Sequence, residues 1–97
     1  MAYAIVLAPE AVEDLRSLKA NVRATVRAAL ETYLRHEPAK TSRSRIKRLR
    51  RLDRPQYRLR VDDIRVFYDV SDSTVEILAV VSKAEADAWL IQHAKPE

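Results

Sequence analysis

Between Tyr57 and Val70 the chain alternates apolar and polar positions in two runs. Tyr57-Arg58-Leu59-Arg60-Val61 is followed by Ile64-Arg65-Val66-Phe67-Tyr68-Asp69-Val70, with only Asp62-Asp63 between them. Two alternating runs around a two-residue acidic break form the pattern of a β-hairpin. Side chains alternate faces along a strand. Pairing Val61 with Ile64 therefore sets Leu59 opposite Val66 and Tyr57 opposite Tyr68 on one apolar face. The other face carries Arg58 opposite Phe67 and Arg60 opposite Arg65. Like charges directly opposite each other on a sheet are destabilising, by about 0.2–1 kcal/mol. Stability alone does not favour that pair, whereas an anion seated between the arginines would.

The flanking pattern predicts the remaining elements. The apolar run Tyr3 to Leu7 reads as a buried strand. Pro9 then opens a first helix to Lys19, with Glu10, Glu13 and Asp14 in its early turns, where the helix dipole favours negative charge. Asn21 is placed to cap a second helix whose apolar stripe is Val22, Val26, Ala29, Leu30, Tyr33 and Leu34. Arg23, Arg27, Glu31 and Arg35 fall on its solvated faces. Glu37-Pro38 ends the helix, and the two helices form an antiparallel hairpin. After the polar connector 39–44, Ile46, Leu49 and Leu52 recur every third residue, which suits a bulged strand or one that stops near Arg50. Arg54-Pro55 is a turn. Beyond Ser71-Asp72-Ser73, the segment Thr74 to Val81 is a β-branched strand with Val75, Ile77, Ala79 and Val81 on one face. Glu76, Leu78 and Val80 line the other, which with Phe67 is apolar enough to need a cover, either the last helix or a partner. Ser82 and Glu85 form a capping box for a helix from Lys83 to about Ala94, and 95–97 is a frayed end. The fold class is α+β in one domain, 1–97: an N-terminal strand, an antiparallel helical hairpin, then a twisted, mainly antiparallel sheet and a C-terminal helix.

Composition agrees with a folded chain, since 47% of its 97 residues are hydrophobic and 33% charged. Charge changes the picture more. Residues 43–65 hold ten cations against three acids, a local +7, so the rest of a chain totalling +4 carries −3. The cations are Arg43, Arg45, Lys47, Arg48, Arg50, Arg51, Arg54, Arg58, Arg60 and Arg65. A cationic stripe on a near-neutral body points to a polyanion partner, nucleic acid first and an acidic protein segment second. The bland reading is a charged edge that blocks aggregation. The predominance of arginine, whose planar fork matches phosphate, weighs against it.

Several chemistries are excluded. The chain has no glycine and no cysteine, so phosphate-cradling glycine loops, thiolate nucleophiles and disulfides are absent. His36 and His93 stand far apart, and no metal or cofactor is expected. Asp62-Asp63 is turn chemistry rather than an acid/base pair. Trp89 reads as packing. The N-terminus lacks the cationic region of a signal peptide and no apolar run approaches bilayer length, so a cytoplasmic protein without a membrane partner is expected. What remains is the arginine face, Arg58, Arg60 and Arg65, with Lys47 and Lys83 nearby. Such a face would act on a phosphodiester by electrostatics and positioning.

The order of elements, with "YAIVLAPEAVEDLRSL", "LRHEP", "RIKRL" and above all "YRLRVDDIRVFYDV" at 57–70, resembles the RelE/ParE superfamily of bacterial type II toxins over nearly the whole chain. The resemblance implies a ribosome-dependent endoribonuclease (an mRNA interferase) that cuts messenger RNA in the A site through attack of the nucleotide's own 2′-hydroxyl. Carried over residue by residue, it implies Arg58, Arg60, Arg65 and Lys83 as the catalytic basic side chains, with Arg65 on the scissile phosphate. RNA binding falls to the basic segment, Arg45, Lys47, Arg48, Arg50 and Arg51. An arginine that RelE carries just after the lysine falls at Ala84, and a base-stacking tyrosine at Leu90. The resemblance also implies a cognate antitoxin, an acidic and apolar tail covering the arginines, in a complex that binds operator DNA. Two alternatives stand beside this reading: inhibition of DNA gyrase, as in the ParE branch, and a degenerate toxin that only binds its antitoxin.

Overall fold

The computed structural model describes residues 2–97. The elements in order are β1 (Ala4–Leu7), α1 (Pro9–Ser17), α2 (Ala20–Ala29), β2 (Ile46–Arg48), β3 (Leu52–Arg54), β4 (Tyr57–Val61), β5 (Ile64–Ser71), β6 (Thr74–Ser82), α3 (Ala86–His93) and β7 (Lys95–Pro96). A π-helical turn, Leu30–Leu34, prolongs α2, and a 3₁₀ turn, Lys83–Glu85, precedes α3. Five strands form one sheet in the order β1-β6-β5-β4-β2, with β1 parallel to β6 and every other pair antiparallel. This is the α+β arrangement the pattern predicts.

The central hairpin has the predicted register at every pair: Tyr57 with Tyr68, Arg58 with Phe67, Leu59 with Val66, Arg60 with Arg65 and Val61 with Ile64. Asp62 makes the turn at φ 52°, in the left-handed region that aspartate tolerates better than most side chains. The rings of Tyr57 and Tyr68 stack at 5.4 Å. The Tyr68 hydroxyl donates to the carbonyl of Pro38 at 2.6 Å, and burial pushes its pKa well above the usual phenol value. Leu59, Val61, Val66, Val75 and Ile77 meet Ala11, Leu15, Val26 and Leu34 in the main core, which lies between the sheet and α1 and α2.

Strand β1, read from the sequence as buried, is an edge strand with alternate residues exposed, Val6 at 49%. Four further features depart from the pattern. Strand β6 carries a bulge: Phe67 pairs with Ala79 but Tyr68 with Ile77, so Leu78 is the extra residue and the faces exchange there. Val75, Ile77 and Val80 therefore enter the main core, while Ala79 joins Phe67 and Ala86 in a second cluster on the opposite face. Second, of the two readings open to Ile46, Leu49 and Leu52 the strand stops, at Arg48, and the triplet is shared between two strands, β2 and β3, the second of which the pattern does not show. They are separated by Arg51 at φ 63°. Third, Asn21 lies inside α2 and does not cap it. The cap position is Lys19, with no side-chain bond. The hairpin is held instead by Arg23, whose Nε and Nη2 donate to the carbonyls of Leu15 and Leu18 at 3.0 and 2.9 Å. Arg35 likewise leaves the solvated set and donates to the carbonyl of Tyr3 at 2.9 Å. Fourth, residues 95–97 are not frayed. Lys95 and Pro96 pair with β3, and the Glu97 N–H bonds the Arg51 carbonyl at 3.2 Å.

The cover demanded by the apolar second face is α3. Trp89 stacks on Phe67 with centroids 4.9 Å apart and planes 7° from parallel, and Leu49 and Leu90 pack beside them. Ser82 caps the approach to this helix as predicted, accepting from the Glu85 N–H at 3.3 Å.

Candidate functional site

A cleft of about 360 Å³ opens between the second face of the sheet and α3. The strand geometry decides what lines it. Lys47 on the edge strand β2 pairs with Arg58 on β4, which pairs with Phe67 on β5. These three residues therefore lie in one row across the face. Arg65, two residues before Phe67, shares that face. Lys83 joins them from the end of β6, where its N–H bonds the Asp63 carbonyl in the hairpin turn at 2.7 Å. Helix α3 supplies the opposite wall with Ala86, Asp87 and Leu90.

The cations here are held without anionic partners. Among the described residues no carboxylate lies within 4 Å of Lys47, Arg58, Arg65 or Lys83, whereas Arg54 pairs with both Asp69 and Glu76. Arg58 Nε is buried and has no hydrogen-bond partner. Burial, and then the charges of Arg65 and Arg60, hold the Arg58 guanidinium below arginine's ordinary pKa. Arginine stays protonated regardless, so the arrangement is a crowded cation in need of an anion. Arg65 is only 8% exposed. Its Nη1 donates to the carbonyls of Asp62 and Ile64 at 2.8 and 3.0 Å, which fixes the guanidinium and leaves its other donors uncommitted.

Four of the residues singled out in the sequence thus meet in one cleft: Lys47, Arg58, Arg65 and Lys83. Arg60 does not. It lines a separate hollow of about 170 Å³ with Ser44, Arg45 and Asp62. Arg45 donates from Nη1 to the Arg60 carbonyl at 3.2 Å and lies over the Tyr33 ring at 4.7 Å. Arg48 turns onto the Tyr57 ring, with Nη1 bonded to the carbonyls of Leu49 and Gln56 at 2.8 Å each. Arg50 and Arg51 are exposed on the turn after β2. His93 does not line the cleft; its ring lies tilted against Trp89, centroids 4.9 Å apart, beside another hollow lined by Pro9 and Glu10. Ala84 is not part of the wall, and Leu90 is. Asp87 was not singled out in the sequence. The capping box at Ser82 sets the phase of α3 and puts Asp87 and Leu90 on neighbouring positions of one helical face, but only the packing of α3 over the sheet brings that face to the cleft.

The family described as "ParE toxin of type II toxin-antitoxin system, parDE" matches residues 5–87. The chain belongs to this ParE toxin family. Solved structures extend the relation to RelE-like proteins. A chain of the RelBE2 toxin–antitoxin complex from Mycobacterium tuberculosis is 27% identical, with TM-score 0.69, over 84% of this toxin and 99% of that chain. The archaeal RelE–RelB complex from Pyrococcus horikoshii gives 26%, TM-score 0.64, over 86% and 97%. A mutant of the E. coli toxin RelE in the free state gives 27%, TM-score 0.66, over 91% and 90%. No curated protein matches the chain. The toxin is therefore a member of the RelE/ParE superfamily, and among its described residues no helix is long and apolar enough to cross a membrane.

Proposed function

We propose that this toxin is a ribosome-dependent endoribonuclease that cuts messenger RNA and so stops translation. The observation that carries the reading is the buried Nε of Arg58, unpartnered and crowded by Arg65. A phosphate bridging the two guanidiniums through their other N–H groups would neutralise this crowded pair. It would gain further as charge grows on its oxygens in the transition state, because fixed donors need no reorganisation. Lys47 and Lys83 add to that field. The exposed cations Arg50, Arg51 and Arg60, with the half-buried Arg45, then serve ribosomal and messenger RNA by backbone charge.

In this reading the protein works in the cytoplasm and is restrained by a cognate antitoxin. Chains it resembles were solved as toxin–antitoxin complexes. An acidic, apolar tail would suit the unpaired arginines and the Leu49–Leu90 wall.

Gyrase inhibition is the second reading, favoured by the description of the matching family. Expression in cells separates the two. Cut transcripts over intact DNA support the endoribonuclease. DNA damage and filamentation with transcripts intact support gyrase, and normal growth leaves only antitoxin binding.

A further inference from the structure

The cleft holds four cations that can bind and stabilise a phosphate, yet RNA cleavage by the 2′-hydroxyl also needs a group to take that hydroxyl's proton. Arginine cannot be deprotonated in a protein, and a lysine at rest is an acid, not a base. Leu49, Phe67, Ala86 and Leu90 have no proton-accepting atom. His36 and His93 are elsewhere. Among the described lining residues, that leaves the carboxylate of Asp87.

We infer that Asp87 is the general base of the cleavage, an assignment that rests on the endoribonuclease reading. Asp87 lies in the first turn of α3 and is exposed. It makes no side-chain hydrogen bond or ion pair to another described residue, so it is available to substrate without breaking a contact. It stands on the helix wall, whereas Lys47 stands on the strand wall. An in-line displacement needs the entering and leaving oxygens on opposite sides of phosphorus, and a base on one wall with an acid on the other would serve it. The proton passes from the 2′-oxygen to Asp87, and the 2′-oxygen bonds to phosphorus. The bond from phosphorus to the 5′-oxygen breaks, and that oxygen takes a proton from the Lys47 ammonium. The products are a 2′,3′-cyclic phosphate and a 5′-hydroxyl. Arg58 and Arg65 hold the non-bridging oxygens throughout.

The test is single-turnover cleavage of a defined message on programmed ribosomes. Asp87→Asn should slow cleavage by about 10²–10⁴-fold, the usual weight of general base catalysis, with ribosome affinity unchanged and Asp87→Glu restoring most of the rate. A second substrate with sulfur replacing the 5′-bridging oxygen has a leaving group that needs no proton. With it, Lys47→Ala should recover and Asp87→Asn should remain slow. Wild-type cleavage with undiminished cleavage by Asp87→Asn, or recovery of Asp87→Asn with the sulfur substrate, overturns the assignment alone. A wild-type protein that leaves every message intact overturns the endoribonuclease reading, and the assignment falls with it.

Discussion

Arg60 and Arg65 face each other across β4 and β5, yet only Arg65 lines the cationic cleft. The like-charged pair that the sequence shows is relieved by divergence. Arg65 folds onto the carbonyls of its own hairpin turn, while Arg60 stays in solvent beside Arg45. The close pair within the cleft is instead Arg58 with Arg65.

That geometry ranks the arginines. Arg58→Ala should lower the cleavage rate by about 10²–10³-fold, the loss typical of one fixed donor to a developing oxyanion. Its Tm should not fall, because the change removes a buried unpaired donor. Arg60→Ala should leave the single-turnover rate within about tenfold and act mainly on ribosome affinity. Equal losses for the two variants would contradict this ranking.

Arg50 and Arg51 should behave as phosphate contacts without catalytic weight. Each change to alanine is expected to flatten the dependence of log affinity on log salt by about 0.7–0.9, through fewer released counterions. Titrations of ribosome binding across a salt series give the slope. Identical slopes for variant and wild type would place these residues off the RNA.

The main-core side has its own test at Asp14. Its Oδ2 accepts from the Val80 N–H at 2.9 Å, where β6 runs on past β1. Burial pushes its pKa up, against that hydrogen bond and with help from Glu10 and Glu85. A folded-state pKa above the unfolded value means the native state binds the proton more tightly. The ionised group thus weighs against folding at neutral pH, and that penalty fades as pH falls through the raised value towards 3.8. Asp14→Asn keeps an acceptor without the charge, so it should be at least as stable as wild type at pH 7, with the difference closing in acid. Asp14→Ala strands a backbone donor and should cost about 1–3 kcal/mol. Urea unfolding at two pH values measures both.

The cover of the cleft can be loosened on purpose. Trp89→Ala removes the stack on Phe67 and should destabilise the fold by about 3 kcal/mol. Deleting residues 95–97 removes β7 and its pairing with β3, so amides of α3 should exchange hydrogen faster while those of β5 keep their protection. Uniform protection after the deletion would mean that β7 does not hold the helix.

These contrasts mark where the sequence was readable. The hairpin register from Tyr57 to Tyr68 followed from alternation alone, since a two-residue turn leaves no freedom and a one-residue slip would turn Leu59 and Val66 to solvent. The bulge at Leu78 escaped, because apolar residues fill β6 on both sides of it and strict alternation carries no signal there. Ile46, Leu49 and Leu52 were ambiguous for a related reason: the left-handed turn falls on Arg51, a residue type that does not announce one. At the site, Arg58 was legible from its strand position. The withdrawal of Arg60 depends on a long side chain choosing between two hollows. Asp87 is brought to the arginines' cleft by the packing of α3 across the sheet, which no local pattern encodes.

The central claim is that this cleft cuts ribosome-bound message. The most direct measurement is primer extension on a defined messenger RNA incubated with the purified toxin, with and without ribosomes, beside the Arg58→Ala variant. Cuts confined to the codon in the A site, lost without ribosomes and much reduced in the variant, are the predicted result. An intact message under the same conditions, with the toxin blocking supercoiling by gyrase, would contradict it.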